Sequence, residues 1–185
     1  MNYNLRQLVE DIKLHPVYVF VGPSGAGKDS VIRNLHARDP ARFIEIPSVT
    51  TRPAYEGEVD GVNHHFISCT EFENMKANGD LLFSGSRYGF YYGTDRRELE
   101  CAKRTGKVII LQTSSPEALN QIYEAIPYAR TVSVIPVHPF GTSVQYENEL
   151  CQRIGRRQIN IGAHEMNHRL GKNLADMSFY SDEKN

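Results

Sequence analysis

An apolar run, a glycine turn and an amphipathic segment follow one another in the stretch VYVFVGPSGAGKDSVIRNL. Val17–Val21 form a continuous β-rich run, which is typical of a strand buried on both faces of a parallel sheet. Val31, Ile32 and Leu35 share one face of the helix predicted after the turn, and Pro40 ends that helix. The order strand, glycine turn, helix therefore predicts an α/β protein.

The turn matches the first seven positions of the pattern G-x-x-x-x-G-K-[S/T], which is known as the P-loop. Its glycines allow successive backbone N–H groups to point at phosphate oxygens. Lys28 adds a positive charge for the β- and γ-phosphates, and the start of the following helix favours the same anion. The predicted ATP-binding residues are Gly22, Pro23, Ser24, Gly25, Ala26, Gly27, Lys28, Asp29 and Ser30.

Asp29 occupies the position where the pattern has a serine or threonine hydroxyl, which ligates the Mg²⁺ ion that accompanies ATP. A carboxylate can also hold a hard cation, directly or through water, and Ser30 follows it in the chain. We predict that Asp29 helps to hold Mg²⁺. The alternative is that Asp29 only stabilises the first helical turn through the helix dipole, and the sequence favours neither interpretation.

Strand-like and helix-like segments alternate along most of the remaining chain. The predicted strands are 43–49, 107–113 and 130–137, and the predicted helices are 4–14, 70–78, 116–125 and 144–154. This alternation predicts a layered α/β fold with a parallel core sheet. Residues 50–94 interrupt it with polar, glycine and aromatic residues, as an inserted substrate-binding lobe would.

Composition limits the class of protein. A chain of 185 residues suits one domain, and a net charge of −1 gives no basic field for nucleic acid or a membrane surface. Cys69, Cys101 and Cys151 lie far apart without a paired motif, which favours a reducing cytoplasm over secretion or a zinc site. The first residues carry charges where a signal peptide would be apolar, so we expect a cytoplasmic protein.

Two further segments, SVTTRPAYEGEVDGVNHHF (48–66) and GFYYGT (89–94), complete a pattern that resembles the guanylate kinase family of nucleoside monophosphate kinases. The resemblance covers about residues 16–170. It implies a P-loop NTPase three-layer sandwich in which 1–185 form a single domain. The implied parts are a core (about 15–46 and 96–150), an acceptor-binding lobe (about 47–95) and a helical lid (about 151–170).

The resemblance also implies a function: transfer of the γ-phosphate of ATP, with Mg²⁺, to a nucleoside monophosphate such as GMP. An acceptor phosphate requires fixed cations and hydrogen-bond donors, and Arg52 offers a bidentate fork while Tyr92 offers a phenol. In the family, residues matching Ser48 and Thr94 approach the base. The predicted acceptor-binding set is Ser48, Arg52, Tyr55, His64, Phe83, Tyr92, Thr94 and Ser114.

Several members of this set depart from the family pattern. Tyr55 and His64 replace an arginine and a tyrosine, and Phe83 replaces the carboxylate that reads the guanine edge. Gln112 and Ser114 stand where two acidic residues are expected. A buried guanine edge without an acceptor costs about 1–3 kcal/mol per group, so these replacements argue against selection for guanine. His64 either donates to a phosphate or lies in a surface loop.

Two alternative functions follow from the same residues. The GKDS sequence (27–30) and the missing carboxylates resemble the ribose 1,5-bisphosphate phosphokinases, whereas GEVDGVNHHFIS and YYGT are closer to guanylate kinases. A guanylate-kinase-like binding module without catalysis is the second alternative. Such modules usually have an eroded P-loop, and the P-loop is intact here, so we expect an enzyme.

Arg153, Arg157 and Arg169 fall near the spacing of the family's lid arginines. With Lys28 and Arg52 they form the predicted catalytic set, because cations that close over the γ-phosphate neutralise its charge and exclude water. Arg156 is an alternative to Arg157, and a solvated basic helix face is the alternative for the lid group as a whole.

The family normally continues with a strand and a closing helix beyond the final ADMSFYSDEKN. A shortened chain, a naturally short protein and compensation by the predicted helix at 4–14 all remain open. Without those elements a sheet edge or apolar surface would be exposed, so we expect lower stability or a homodimer.

Overall fold

The computed structural model describes residues 15–134, together with Arg6 and Gln152. The strands are β1 (Val17–Val21), β2 (Phe43–Glu45), β3 (Ser48–Thr50), β4 (His64–Phe66), β5 (Leu81–Arg87), β6 (Phe90–Asp95), β7 (Val108–Thr113) and β8 (Arg130–Ser133). The helices are α1 (Lys28–Arg38), α2 (Cys69–Ala77), α3 (Arg96–Lys103) and α4 (Pro116–Ala125).

The core sheet has the strand order β2-β7-β1-β8, and its strands pair in parallel throughout. The predicted parallel core sheet is confirmed, and β1 has the predicted bounds. Parallel pairing places the carboxyl ends of β1 and β7 side by side, directly before the P-loop and before Ser114. Ligands bind at this edge of open α/β sheets.

Helices cover both faces of the core sheet. Because side chains alternate along a strand, Phe20 faces α1 and packs with Ile32, while Val19 faces the opposite layer and clusters with Leu119 of α4. The result is the predicted three-layer arrangement. Of the residues predicted to share one face of α1, Ile32 is buried, whereas Val31 is 39 % exposed.

The single strand predicted at 43–49 is two strands in different sheets. β2 belongs to the core sheet, and the Ile46 N–H still donates to the carbonyl of Ile110 in β7. Pro47 has no N–H to continue this ladder. The chain therefore leaves the core sheet at Pro47 and begins the second sheet at Ser48.

The second sheet has the order β4-β3-β6-β5, with β3–β4 parallel and the other pairs antiparallel. Its small core contains Val49, Phe72 of α2 and Leu81. Helix α3 returns the chain to the core sheet; the sequence analysis did not predict it, although the Asp95 side chain caps its first turn. The proposed limits of core, lobe and lid stay predictions.

Part of the prediction falls on residues that the structure does not describe. These are the helices at 4–14 (Arg6 apart) and 144–154 (Gln152 apart), residues 135–137 of the third predicted strand, and Arg153, Arg156, Arg157 and Arg169. The homodimer also stays a prediction. Among the described helices, none has the length and apolar character needed to traverse a lipid bilayer.

Candidate functional site

A cleft of about 460 Å³ lies between the carboxyl edge of the core sheet and the second sheet. It brings together most of the predicted site residues. Those that line it are Ser24, Gly25, Gly27, Lys28, Asp29, Ser48, Arg52, Tyr55, His64, Phe83, Tyr92 and Ser114. Gly22, Pro23, Ala26, Ser30 and Thr94 are not among the lining residues, and Thr94 is almost fully buried.

The P-loop curls between β1 and α1 because its glycines adopt conformations that other residues avoid. Gly25 and Gly27 have φ angles of 82° and 100°, in the left-handed region. At Gly22 a Cβ atom would lie 2.1 Å from the carbonyl oxygen of Val134, so a side chain cannot fit beside β8. These positions turn the backbone so that α1 begins at Lys28 with its N-terminal end at the cleft.

Lys28 is 8 % exposed, and its ammonium is held at the junction of the loop and β7. The Nζ atom donates to the carbonyls of Gly22 and Pro23 at 2.8 and 3.0 Å and to Ser114 Oγ at 2.9 Å. These bonds fix the ammonium in position but use all three of its N–H donors, so an anion that enters the loop would share or displace one of them. The structure thus places the predicted phosphate-binding lysine beside Ser114.

A second acidic group, which the sequence analysis did not single out, lies close to Asp29. Glu45 ends β2, lines the cleft and accepts a hydrogen bond of 3.0 Å from Gln112. Burial, reinforced by the negative charge of Asp29, raises the pKa of Glu45 to about 7. The sequence indicated this acidic group only by placing a glutamate in the otherwise apolar run FIEI.

Arg52 is held by a carboxylate from the GEVDG turn. Its two terminal nitrogens donate to Glu58 at 2.6 and 2.7 Å, and its guanidinium carbon lies 4.1 Å from the centre of the Tyr55 ring. Burial alone would lower the pKa of Arg52, but the hydrogen bonds and charge of Glu58 raise it. Burial acts against ionisation of Glu58 as well, yet the bonds from Arg52 and from the Tyr55 N–H lower its pKa. Arg52 is therefore a fixed cation, and Tyr55 supports it from one face.

His64 lies in β4 and not in a surface loop. Its Nδ1 atom is 2.8 Å from Ser48 Oγ, and its ring packs edge-on against Tyr92 with 6.4 Å between the ring centres. Burial, and secondarily the positive charge of Arg52, lowers the pKa of His64. The imidazole is therefore neutral at pH 7, and Ser48, His64 and Tyr92 form one uncharged polar wall of the cleft.

The hairpin that joins β5 to β6 carries an arginine that the sequence analysis missed. Arg87 is 7 % exposed, lines the cleft, and donates from Nη1 to the carbonyl of Ser114. Its guanidinium carbon lies 5.0 Å from the centre of the Tyr88 ring. The YYG motif of the same hairpin gave no indication of this buried charge.

The turn of this hairpin is strained. Tyr88 and Gly89 form a two-residue loop with φ angles of 54° and 80°, as the tight hairpin turn requires. Tyr88 is the one non-glycine residue with positive φ in the described part of the chain. Such a conformation costs about 1–3 kcal/mol and persists where the surroundings enforce it.

Gly93 follows Tyr92 in β6 and packs directly against β5. A Cβ atom at this position would lie 2.8 Å from the carbonyl oxygen of Phe83 and 3.3 Å from two carbons of Leu81. The glycine therefore allows the two strands to approach beside Phe83, which is 5 % exposed and lines the cleft.

A family profile described as "Guanylate kinase" matches residues 15–178. The chain belongs to the guanylate kinase family. Among curated members of the family, the guanylate kinase of Alkalilimnicola ehrlichii is 32 % identical over 166 residues, covering 90 % of this chain and 76 % of that protein. The guanylate kinase of Nostoc sp. is 36 % identical over 118 residues, covering 64 % of this chain and 58 % of the relative.

A solved guanylate kinase supports the assignment of the fold. The crystal structure of guanylate kinase from Anaplasma phagocytophilum superposes with a TM-score of 0.63 at 20 % sequence identity, covering 93 % of this chain and 79 % of that chain. At this identity the similarity shows the P-loop α/β fold, and residue roles have to be argued from the site itself.

Proposed function

We propose that this guanylate kinase family member transfers the γ-phosphate of ATP to GMP. One observation carries the proposal: a single cleft joins the phosphate-binding loop, with Lys28, to a second cationic and polar wall formed by Arg52 and Tyr92. Phosphoryl transfer requires two anions held in line across such a space. The names of the relatives support GMP as the acceptor over ribose 1,5-bisphosphate.

The donor half of the site fits ATP with Mg²⁺. Backbone N–H groups of the loop and Lys28 would hold the phosphates, and the oxygen ligands available beside them suit a hard cation. Asp29 lines the cleft in the first turn of α1, where it could hold the ion directly or through water. When bound, the ion would supply positive charge that neutralises the phosphate oxygens.

The acceptor half would hold the phosphate of GMP against Arg52 and Tyr92. An oxygen of this phosphate attacks the γ-phosphorus, the bond from the γ-phosphorus to the β–γ bridging oxygen breaks, and ADP leaves. The acceptor oxygen is already ionised, so no general base is required. Because both terminal nitrogens of Arg52 bond to Glu58, the phosphate would share or displace this carboxylate.

A coupled assay of ADP release tests the proposal with GMP, dGMP, AMP, UMP and ribose 1,5-bisphosphate in turn. We expect turnover to be highest with GMP. Turnover that is highest with ribose 1,5-bisphosphate would replace GMP by that acceptor. Absence of turnover with every acceptor, together with no heat of Mg·ATP binding in calorimetry, would refute the proposal and favour a non-catalytic module.

We also propose that the protein acts in the cytoplasm. Cys69 and Cys101 are free thiols, which fits a reducing cytoplasm.

A further inference from the structure

A carboxylate in the cleft lies beside a position at which an acidic residue is missing. Gln112 and Ser114 stand where two acidic residues are expected, and neither carries a negative charge. The Nε2 atom of Gln112 donates a hydrogen bond of 3.0 Å to Oε1 of Glu45. The structure therefore supplies from β2 a carboxylate that the sequence lacks at the end of β7.

Strand pairing explains how the two side chains meet. Glu45 is the last residue of β2 and pairs with Ile110 in the parallel register of β2 and β7. Gln112 lies two residues beyond Ile110, so its side chain leaves the same face of the sheet. Both side chains line the cleft at the carboxyl edge of the core sheet, where ligands bind in open α/β folds.

The carboxylate of Glu45 has hydrogen-bonding capacity available for a ligand. Within residues 15–134, the bond from Gln112 is the one hydrogen bond that this side chain makes, and it occupies Oε1. The two oxygens of a carboxylate offer about four lone-pair sites. The Oε2 atom and a second site on Oε1 can therefore accept from donors in the cleft.

Glu45 differs from the other carboxylates of the cleft. Among the described residues that line it, the other acidic ones are Asp29, Glu56 and Glu58. Glu58 is bonded to Arg52, and Asp29 lies in the first turn of α1 at the ATP half of the site. Glu56 is exposed to water, whereas Glu45 is partly buried, and a hydrogen bond is stronger where water is excluded.

The two oxygens of a carboxylate match two adjacent N–H donors. Guanine presents such a pair at N1–H and N2–H₂, hypoxanthine keeps only N1–H, and adenine has an acceptor at N1. Resting on the proposed function, we propose that Glu45 is a specificity-determining residue that reads the N1–H and N2–H₂ donors of the acceptor guanine. Its carboxylate takes over the role of those that the sequence lacks at Phe83, Gln112 and Ser114.

Three acceptors test this mode of recognition in the coupled assay of ADP release at pH 8. The pKa of Glu45, which burial raises to about 7, lies below this pH, so the carboxylate is ionised. We expect kcat/KM for IMP to be roughly 10- to 150-fold below that for GMP, since the loss of one hydrogen bond to a charged group has an effect of this size. AMP should be poorer still, because its N1 atom presents a lone pair to the carboxylate.

Substitution of Glu45 and exchange with its partner provide the second arm. In Glu45→Gln, kcat/KM for GMP should fall towards that for IMP, while KM for ATP should stay unchanged. A double variant that combines Glu45→Gln with Gln112→Glu returns a carboxylate to the same pair, so it should recover part of the preference for GMP. Glu56→Gln is the matched control, because it removes an exposed carboxylate of the cleft and should leave the preference for GMP over IMP unchanged.

The possible failures are separable. Equal use of GMP and IMP by the wild type, or an unchanged preference for GMP in Glu45→Gln, would overturn the inference and leave the proposed function in place. Loss of the preference in Glu56→Gln would also overturn it. Absence of turnover with all three acceptors would overturn the proposed function and the inference together. If circular dichroism shows that Glu45→Gln fails to fold, Glu45→Asp replaces it; this variant withdraws the carboxylate by one methylene and should weaken the same preference.

Discussion

The carboxyl group of Glu45 provides a direct test of the electrostatics of the cleft. Its pKa is raised from 4.5 to about 7 by burial and by Asp29, so the folded protein retains a proton that the unfolded chain has lost in this range. Between pH 4.5 and 7 the folded state binds more protons, and its stability therefore falls as the pH rises. At 1.36 kcal/mol per pH unit, the loss reaches at most about 3 kcal/mol.

Glu45→Gln should remove this loss while keeping the shape of the protonated side chain. We expect the variant and the wild type to have similar free energies of unfolding at pH 5, and the variant to be more stable at pH 8 by about 1–3 kcal/mol. Urea denaturation followed by circular dichroism at both pH values measures the difference. Asp29→Asn should reduce the same pH dependence in part, because Asp29 contributes to the raised pKa.

Glu124→Gln, at an exposed position of α4, is the matched control and should leave the pH dependence of stability unchanged. If the stability of Glu45→Gln relative to the wild type were the same at pH 5 and pH 8, the carboxyl group of Glu45 would already be ionised at pH 5. Burial and the charge of Asp29 would then not raise the pKa of Glu45.

Three further predictions concern the loop, the ion pair and the hairpin. Lys28→Met should reduce kcat at least ~100-fold, as measured by ADP release, since one preorganised charge contributes this much to phosphoryl transfer. Glu58→Gln should lower the free energy of unfolding by roughly 2 kcal/mol in urea titrations, because it leaves the buried guanidinium of Arg52 without its anionic partner. An unchanged urea midpoint would show that the Arg52–Glu58 pair does not contribute to the stability of the folded protein. Gly93→Ala should destabilise by about 1–3 kcal/mol through overpacking, whereas Gly85→Ala, where a Cβ meets no atom within 4 Å, should be neutral or slightly stabilising; equal effects of the two would contradict this packing argument.

The core of the fold could be predicted from the sequence because its signals are local. A continuous apolar run, a glycine turn and a helix follow one another at β1 and α1, and the run at β7 is equally clear. The division of 43–49 into two strands was not predictable from hydrophobicity, because Ile46 and Val49 are both buried but in different cores. Pro47 was the signal that the chain changes sheets there.

The site was predictable where motifs carry it and missed where tertiary contacts create it. Lys28 and Arg52 stand in recognisable patterns, and the structure places both in the cleft. Glu45 and Arg87 gain their importance from partners that are distant in the chain, Gln112 and the carbonyl of Ser114. Glu58 gains its importance from Arg52, which it meets only when the loop between them folds. A single sequence does not reveal such pairs.

The hairpin of β5 and β6 has a practical consequence for enzyme engineering. Two of the side chains predicted to bind the acceptor, Phe83 and Tyr92, belong to one short segment closed by a two-residue turn. The groups that would grip ATP belong to another segment, around Lys28. A library confined to 83–92, with Gly93 held constant so that the strands still meet, could therefore redirect substrate choice while leaving the chemistry of ATP untouched.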